Sequence, residues 1–252
     1  MIIALVMLII VIHMSAVWLW YKIINNPSVV DVGWASGITL SGLLYICAQQ
    51  LSWRTIILAG ALLLWGLRLG GYLWWTRIRK KHVDKRYISL SSTWNIKQSW
   101  GFFINFQFQG VLIFIVSLSW YFIAQGANKF TIIELIALII FIISLVLEAL
   151  ADWQLSAFKK NNPGQVCNQG LWRYSRHPNC FFEWLVWCSF ALLAISAPYG
   201  FLAFISPLAL YVIMVYLTIP ITEQESLRSR GEKYAQYQLI TPKFFIGFSD
   251  DY

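Results

Sequence analysis

Arg173-Tyr174-Ser175-Arg176-His177-Pro178-Asn179, followed by Phe181-Phe182-Glu183, sets two guanidinium groups, an imidazole, an amide and a carboxylate directly ahead of an apolar run. Pro178 suits the first turn of a helix, where its missing N–H costs nothing, so the open N–H groups and positive dipole end of that helix face Arg173, Arg176 and His177. Such an arrangement suits a phosphate or another anion. Asn179 and Glu183 are four residues apart and share one helix face, so an amide and a carboxylate point the same way. The bland reading makes the arginines a positively charged flank of a membrane helix, with Asn179 and Glu183 facing neighbouring helices. A glutamate inside an apolar segment favours a site, because an intramembrane charge is costly without a task or a partner.

Other charged residues fall inside apolar stretches: Asp31, Arg68, Glu134, Glu148 and Asp152. Glu148 and Asp152 are one turn apart and Lys159 lies two turns further on, so one face grades from acidic to basic as it leaves the membrane. Arg68 is flanked by Gly66, Gly70 and Gly71, which admit another helix or a ligand. Its structural role would be pairing with Glu148 or Asp152; its functional role would be bidentate contact with a phosphate. Asp31 starts the second apolar stretch, where it either caps that helix or, as a buried acid, donates a hydrogen bond to a substrate oxygen. Glu134 reads as an interfacial residue with no assigned role.

These residues must be positioned by membrane helices. Of 252 residues, 59% are hydrophobic, 12% are charged and 14 are Trp, which excludes a soluble domain and defines an all-α, polytopic membrane protein. Seven stretches approach the roughly 20 apolar residues of a bilayer span: 2–22, 29–49, 55–76, 101–124, 130–157, 180–197 and 199–220. A single membrane domain over 1–252 is expected, with its cofactor-binding half at about 130–252. The first stretch lacks a basic leader and a cleavage site and is read as a retained helix. After Pro220, the charged residues Glu223 to Lys233, with Leu227, Tyr234 and Tyr237 as an apolar stripe, predict a C-terminal amphipathic helix that Thr241-Pro242 ends.

The net charge of +8 comes from basic loops rather than from a nucleic-acid surface. With seven spans, 16 of the 19 Lys and Arg fall on one side, which the positive-inside rule makes cytoplasmic. The N-terminus is then outside and the C-terminus in the cytoplasm. Four cysteines and three histidines show no metal-ligand or disulfide spacing.

Gly170-Leu171-Trp172-Arg173-Tyr174-Ser175-Arg176-His177-Pro178-Asn179 with Glu183 resembles the C-terminal signature of steroid 5-alpha-reductase-like membrane proteins and of sterol reductases. Val30-Asp31-Val32-Gly33-Trp34, Arg68-Leu69-Gly70-Gly71-Tyr72, Arg86-Tyr87, and Arg230-Gly231-Glu232-Lys233-Tyr234 with Tyr237 and Thr241-Pro242 resemble the bacterial branch, the DUF1295 family. The similarity spans nearly the whole chain. It implies a seven-helix bundle of the bacterial inner membrane that holds NADPH and reduces the activated C=C bond of an apolar enone, a steroid-like or isoprenoid lipid drawn from the bilayer. By the same resemblance Asn179 and Glu183 orient the nicotinamide. Asp152 binds the adenine nucleotide, with Glu148 in place of an Asn. Arg68, Lys159, Arg173 and Arg176 neutralise phosphates, and His177 and Arg230 complete the cofactor set.

Asp31 or Tyr87 would polarise the substrate carbonyl. The chain departs from the steroid enzymes in two places. An early Gln-Glu pair and a matching ketone-binding Tyr are missing, with Asp31 and Trp65 in comparable positions, and the last segment carries Glu223 to Leu227 where those enzymes have His and Tyr. Two other readings compete. An S-adenosylmethionine-dependent methyltransferase of the isoprenylcysteine type shares the Arg-His-Pro element but needs no ring of phosphate-binding residues. A non-enzymatic lipid-binding membrane protein would use the intramembrane charges only to pair with each other. No obligate protein partner is implied.

Overall fold

The computed structural model describes residues 1–127 and 129–247; the last five positions of the expected 1–252 domain lie outside the described residues. All regular structure within them is helical. Six helices are long and apolar enough to cross a membrane: Ile2–Ile24, Val29–Cys47, Trp53–Arg79, Gln98–Ile123, Ile132–Asn161 and Gly200–Arg230. The stretch expected as the sixth span, 180–197, is a helix of only 15 residues, Pro178–Leu192. At 1.5 Å per residue it reaches about 22 Å, short of the ~30 Å hydrocarbon core.

The chain divides into two compact units. The first comprises Met1–Thr131 and Ala194–Ser206. Here α1 (Ile2–Ile24) buries Val6, Ile10, Met14, Val17 and Tyr21, a three-to-four-residue spacing that makes one inward stripe, while Leu5, Leu8 and Ile12 stay exposed as lipid-facing side chains. It packs on α2 (Val29–Cys47) and α5 (Gln98–Ser117), and α2 packs on α3 (Trp53–Leu73). A capping box starts α3: Ser52 Oγ accepts from the Thr55 N–H and Thr55 Oγ1 from the Ser52 N–H. Gly66 brings α2 and α3 together, since a Cβ there would lie 2.0 Å from Thr39 Oγ1. Gly70 and Gly71 meet no such contact.

A π-helical segment, Trp74–Arg79, continues α3, and the short α4 (Lys85–Ser91) follows. The short α6 (Ser119–Ile123) closes the fourth span. Arg54 is 2% exposed and lies over the Phe130 ring at 4.7 Å.

In the second unit α7 (Ile132–Asn161) packs along α8 (Pro178–Leu192). Glu134, in the first turn of α7, is fully buried. The last span runs from a 3-10 turn, Gly200–Phe204, through α9 (Ile205–Val212) and a π-helical segment, Ile213–Thr218, into α10 (Ile219–Arg230). Where one amphipathic helix is expected, Gly231 breaks the chain between α10 and α11 (Glu232–Ile240) with φ +56°, a conformation that favours glycine. Tyr234 and Tyr237 are buried but Leu227 is exposed, so the anticipated stripe does not run across the break. Thr241, in extended conformation, ends α11 as the sequence predicts.

Candidate functional site

Pro178 is the first residue of α8 and His177 its N-cap, as the spacing requires. Along the face that α8 shares with α7 are Glu148, Asp152 and Glu183, all buried, and Asn179, half-buried. Asn179 Nδ2 donates to Asp152 Oδ1 at 3.1 Å, and Trp187 Nε1 donates to Glu183 Oε1 at 3.0 Å one turn along α8. Asn179 Oδ1 is buried without a hydrogen-bond partner among the described residues, which leaves a desolvated acceptor in an otherwise acidic cluster. A ligand N–H suits that position.

The basic residues assigned to phosphates separate into groups. Lys159 and Arg173 are exposed, and Arg230 is half-buried with its Nε lacking a hydrogen-bond partner among the described residues. Lys159 lies within electrostatic reach of Arg230, Cys167 and Asp152, so two cations converge near the acidic face. Arg68 belongs to the first unit, on α3, with its guanidinium 5.8 Å from the Tyr72 ring.

Arg176, expected to neutralise a phosphate, is engaged by contacts within the fold. Nε donates to Glu223 Oε1 at 2.7 Å, Nη2 to Glu223 Oε2 at 3.4 Å, and Nη1 to the carbonyls of Gln238 and Thr241 at 2.7 and 2.9 Å. Its own N–H donates to Pro242 O at 2.9 Å. With these donors engaged, Arg176 ties the loop before α8 to α10 and α11. His177 joins the same knot, its Nε2 3.2 Å from Glu223 Oε1. Burial pushes the His177 imidazole below its ordinary value, and Glu223 partly offsets this.

The C-terminal segment completes the attachment. Ser175 Oγ donates to Phe244 O at 2.9 Å, the Gly247 N–H to Tyr174 O at 3.1 Å, and the Tyr237 hydroxyl to Trp172 O. Trp172 Nε1 in turn donates to Ala151 O on α7 at 2.9 Å. Phe244 packs edge-on against Phe181, Trp184 and Tyr211. The sequence marks Glu223 only as a charge of the C-terminal amphipathic segment and as a departure from the steroid enzymes, with no sign of the partners it meets here.

The first unit holds a second polar cluster. Asp31 does not cap α2, whose N-cap is Ser28; it extends towards α4 and the π-helical end of the third span. Tyr87 donates to Asp31 Oδ1 at 2.7 Å, Arg77 Nη1 donates to Asp31 Oδ2, and Arg86 Nη2 lies 3.8 Å from Oδ1. Asp84 accepts from Arg77 Nη1 at 2.7 Å and from Arg86 at 2.9 and 3.1 Å, while it caps α4. Ser28 Oγ accepts from the Asp84 N–H at 2.8 Å.

Both Asp31 oxygens therefore act as acceptors in this network. Burial, and then the Asp31 carboxylate, push the Tyr87 phenol well above its ordinary value and keep its proton on. Burial alone would raise the Asp84 carboxyl, but the hydrogen bond and charge of Arg86, with Arg77, hold it at about 2. Trp65, the other position compared with the steroid enzymes, is fully buried.

Six apolar helices of spanning length fit an integral membrane protein, and α7 and α8 set buried carboxylates and a half-buried amide on one face. The profile of a family described as a protein of unknown function, DUF1295, matches residues 17–241, and the chain belongs to that family. No curated protein and no solved structure matches it significantly.

Proposed function

We propose that this protein is a membrane-embedded reductase that uses NADPH to saturate the activated C=C bond of an apolar enone, a 3-oxo-4-ene steroid or related isoprenoid lipid. The observation that carries the reading is the α7/α8 face: Asn179 has a buried acceptor lacking a partner, set among Glu148, Asp152 and Glu183. A carboxamide N–H fits that acceptor, and the convergent cations Lys159 and Arg230, with exposed Arg173, fit the phosphates of a dinucleotide. The residues present therefore suit the cofactor. Asn179 and Glu183 would hold the nicotinamide end, Glu148 and Asp152 the adenosine end, and Lys159, Arg173 and Arg230 the phosphates. NADPH, when bound, supplies a hydride.

The chain's own part is to bind, orient and protonate. Glu183, anchored by Trp187, presents one fixed carboxylate edge, so orientation rather than charge alone sets the reacting geometry. An enolate forming on the substrate requires a proton donor at its oxygen. Tyr87 keeps its proton at physiological pH and is the donor the resemblance suggests; its hydroxyl, which donates to Asp31 Oδ1, would have to turn from Asp31 to the substrate oxygen. The basic face of the chain is read as cytoplasmic, where NADPH is available.

The test is binding before turnover. NADPH should raise the thermal midpoint of the detergent-solubilised protein more than NADH or S-adenosylmethionine does, because ligands that bind the folded state stabilise it by mass action. NADPH oxidation should then follow addition of a 4-ene-3-ketosteroid or another isoprenoid enone. Stabilisation by S-adenosylmethionine alone would replace the reductase with a methyltransferase, and no stabilisation by any of the three would favour the lipid-binding protein.

A further inference from the structure

We propose that Glu223 is a positioning residue for the α7/α8 site, an inference that rests on the reductase reading for its ligand. Its carboxylate is 8% exposed and accepts from four side chains. Arg176 Nε and His177 Nε2 reach Oε1 at 2.7 and 3.2 Å, with Tyr234 Oη at 3.5 Å, and Gln238 Nε2 reaches Oε2 at 2.9 Å. Two of these partners belong to the loop that launches α8, and two belong to α11. One group on α10 thus joins the neighbouring α11 to the distant loop before α8.

The consequence for the site follows from helix geometry. His177 is the N-cap of α8, and Pro178 fixes φ at the next residue, so the orientation of Arg176 and His177 sets the direction in which the first turn of α8 leaves the loop. Asn179 is in that turn and Glu183 one turn later on the same face. Release of the clamp lets the turn rotate or fray, and a displacement of about 1 Å at a positioned group is enough to cost on the order of 100-fold in rate. Arg176 alone cannot do this, because without the carboxylate its guanidinium would be left partly buried with an unmatched charge.

Glu223 also borders a surface pocket of about 410 Å³, lined further by Gln224, Leu227, Gln238 and Lys243. A truncated side chain would therefore leave a space open to small solutes. This makes chemical rescue available, and rescue separates positioning from a general loss of folding.

The experiment compares wild type, Glu223→Ala, Glu223→Gln and Glu223→Leu, with NADPH affinity and enone turnover as readouts and formate as the added carboxylate. We expect Glu223→Ala to weaken NADPH binding and lower turnover by on the order of tenfold or more, the scale of a lost charge-assisted contact. Formate should restore both in Glu223→Ala but in neither wild type nor Glu223→Leu. Glu223→Gln keeps the volume but turns an N–H towards a donor, so it should be impaired and insensitive to formate; if Glu223→Ala does not fold, this variant decides.

Wild-type affinity and turnover in a folded Glu223→Ala or Glu223→Gln, or failure of formate to act on a folded Glu223→Ala, would overturn the proposal. A second readout is independent of the cofactor: thiol labelling of Cys180, the third residue of α8, with Cys47, Cys167 and Cys188 replaced by Ser. Faster labelling in Glu223→Ala, slowed again by formate, supports the clamp even if wild type proves not to bind NADPH, in which case only the reductase reading fails. Unchanged labelling would sink the clamp whatever the ligand.

Discussion

The Tyr87 hydroxyl donates to Asp31 Oδ1 at 2.7 Å, joining residues 56 positions apart in the chain. Because Arg77 and Arg86 also approach this carboxylate, the phenol is held in one orientation with its proton directed at a fixed acceptor. Tyr87→Phe should leave the NADPH-induced thermal shift intact and lower enone turnover by about 100-fold or more, the usual scale of a lost proton donor. Its stability cost should be about 1.5–3 kcal/mol, that of one hydrogen bond to a charged group. Asp31→Ala should cost more, on the order of 3 kcal/mol or above, because it removes a partner from two guanidinium groups. The two measurements are a steady-state assay and a denaturation midpoint; a milder Asp31→Ala would mean that the network does not hold the first unit together.

Arg173 and Arg176 look alike in sequence and should behave in opposite ways. Arg173 is exposed, so Arg173→Ala should change stability by less than about 0.5 kcal/mol yet reduce the NADPH-induced shift. Arg176→Ala removes the donors that bind Glu223 and two carbonyls of the C-terminal segment, and should itself destabilise by roughly 3 kcal/mol or more. Thermal melts with and without NADPH resolve both effects. Equal stability of the two variants would contradict the clamp geometry.

Two buried groups give stability a defined pH dependence. The Asp84 carboxyl is held at about 2, against 3.8 for the ordinary group, so its contribution is fully present above about pH 4 and is lost as the pH falls towards 2. Asp84→Asn should flatten that acid limb. The His177 imidazole is held below its ordinary 6.5, so the folded protein keeps it neutral while the unfolded chain takes up a proton. Its contribution is present above pH 6.5 and is lost as the pH falls below that value. Melting midpoints of wild type and His177→Gln should converge in shape above pH 7 and diverge in slope between about pH 6.5 and 5.

The short helix α8 makes topology a sharp measurement. If Pro178–Leu192 and the turns that follow carry the chain across the bilayer, the seven crossings put the N-terminus outside and the C-terminus inside. A reporter fused after position 252 or within the 80–97 loop should then read as cytoplasmic, and one at Lys129 as external. A C-terminal reporter on the external face would mean that only the six long helices cross, and would place the basic residues of α10 and α11 away from cytosolic NADPH.

The sequence by itself determined the helical membrane architecture and which residues share one face of α8. Runs of apolar residues with internal spacing of three and four can only be membrane helices, because backbone groups in lipid must be satisfied within their own segment. Pro178 located the start of α8, and the four-residue spacing of Asn179 and Glu183 put them on one face before any tertiary contact was considered.

Tertiary structure decided what each charge does. Arg173 and Arg176 occupy the same motif, yet only folding brings Glu223, 47 positions away, onto Arg176 and leaves Arg173 in solvent. Arg77 stands in the π-helical end of the third span and Asp84 caps α4, and only folding sets the Arg77 guanidinium between Asp84 and Asp31. Local spacing dictates the face of a helix on which a side chain lies, because the helical period is fixed. Its electrostatic partner depends on which distant face packs against it, and that is set by burial across the whole unit rather than by neighbours in the chain.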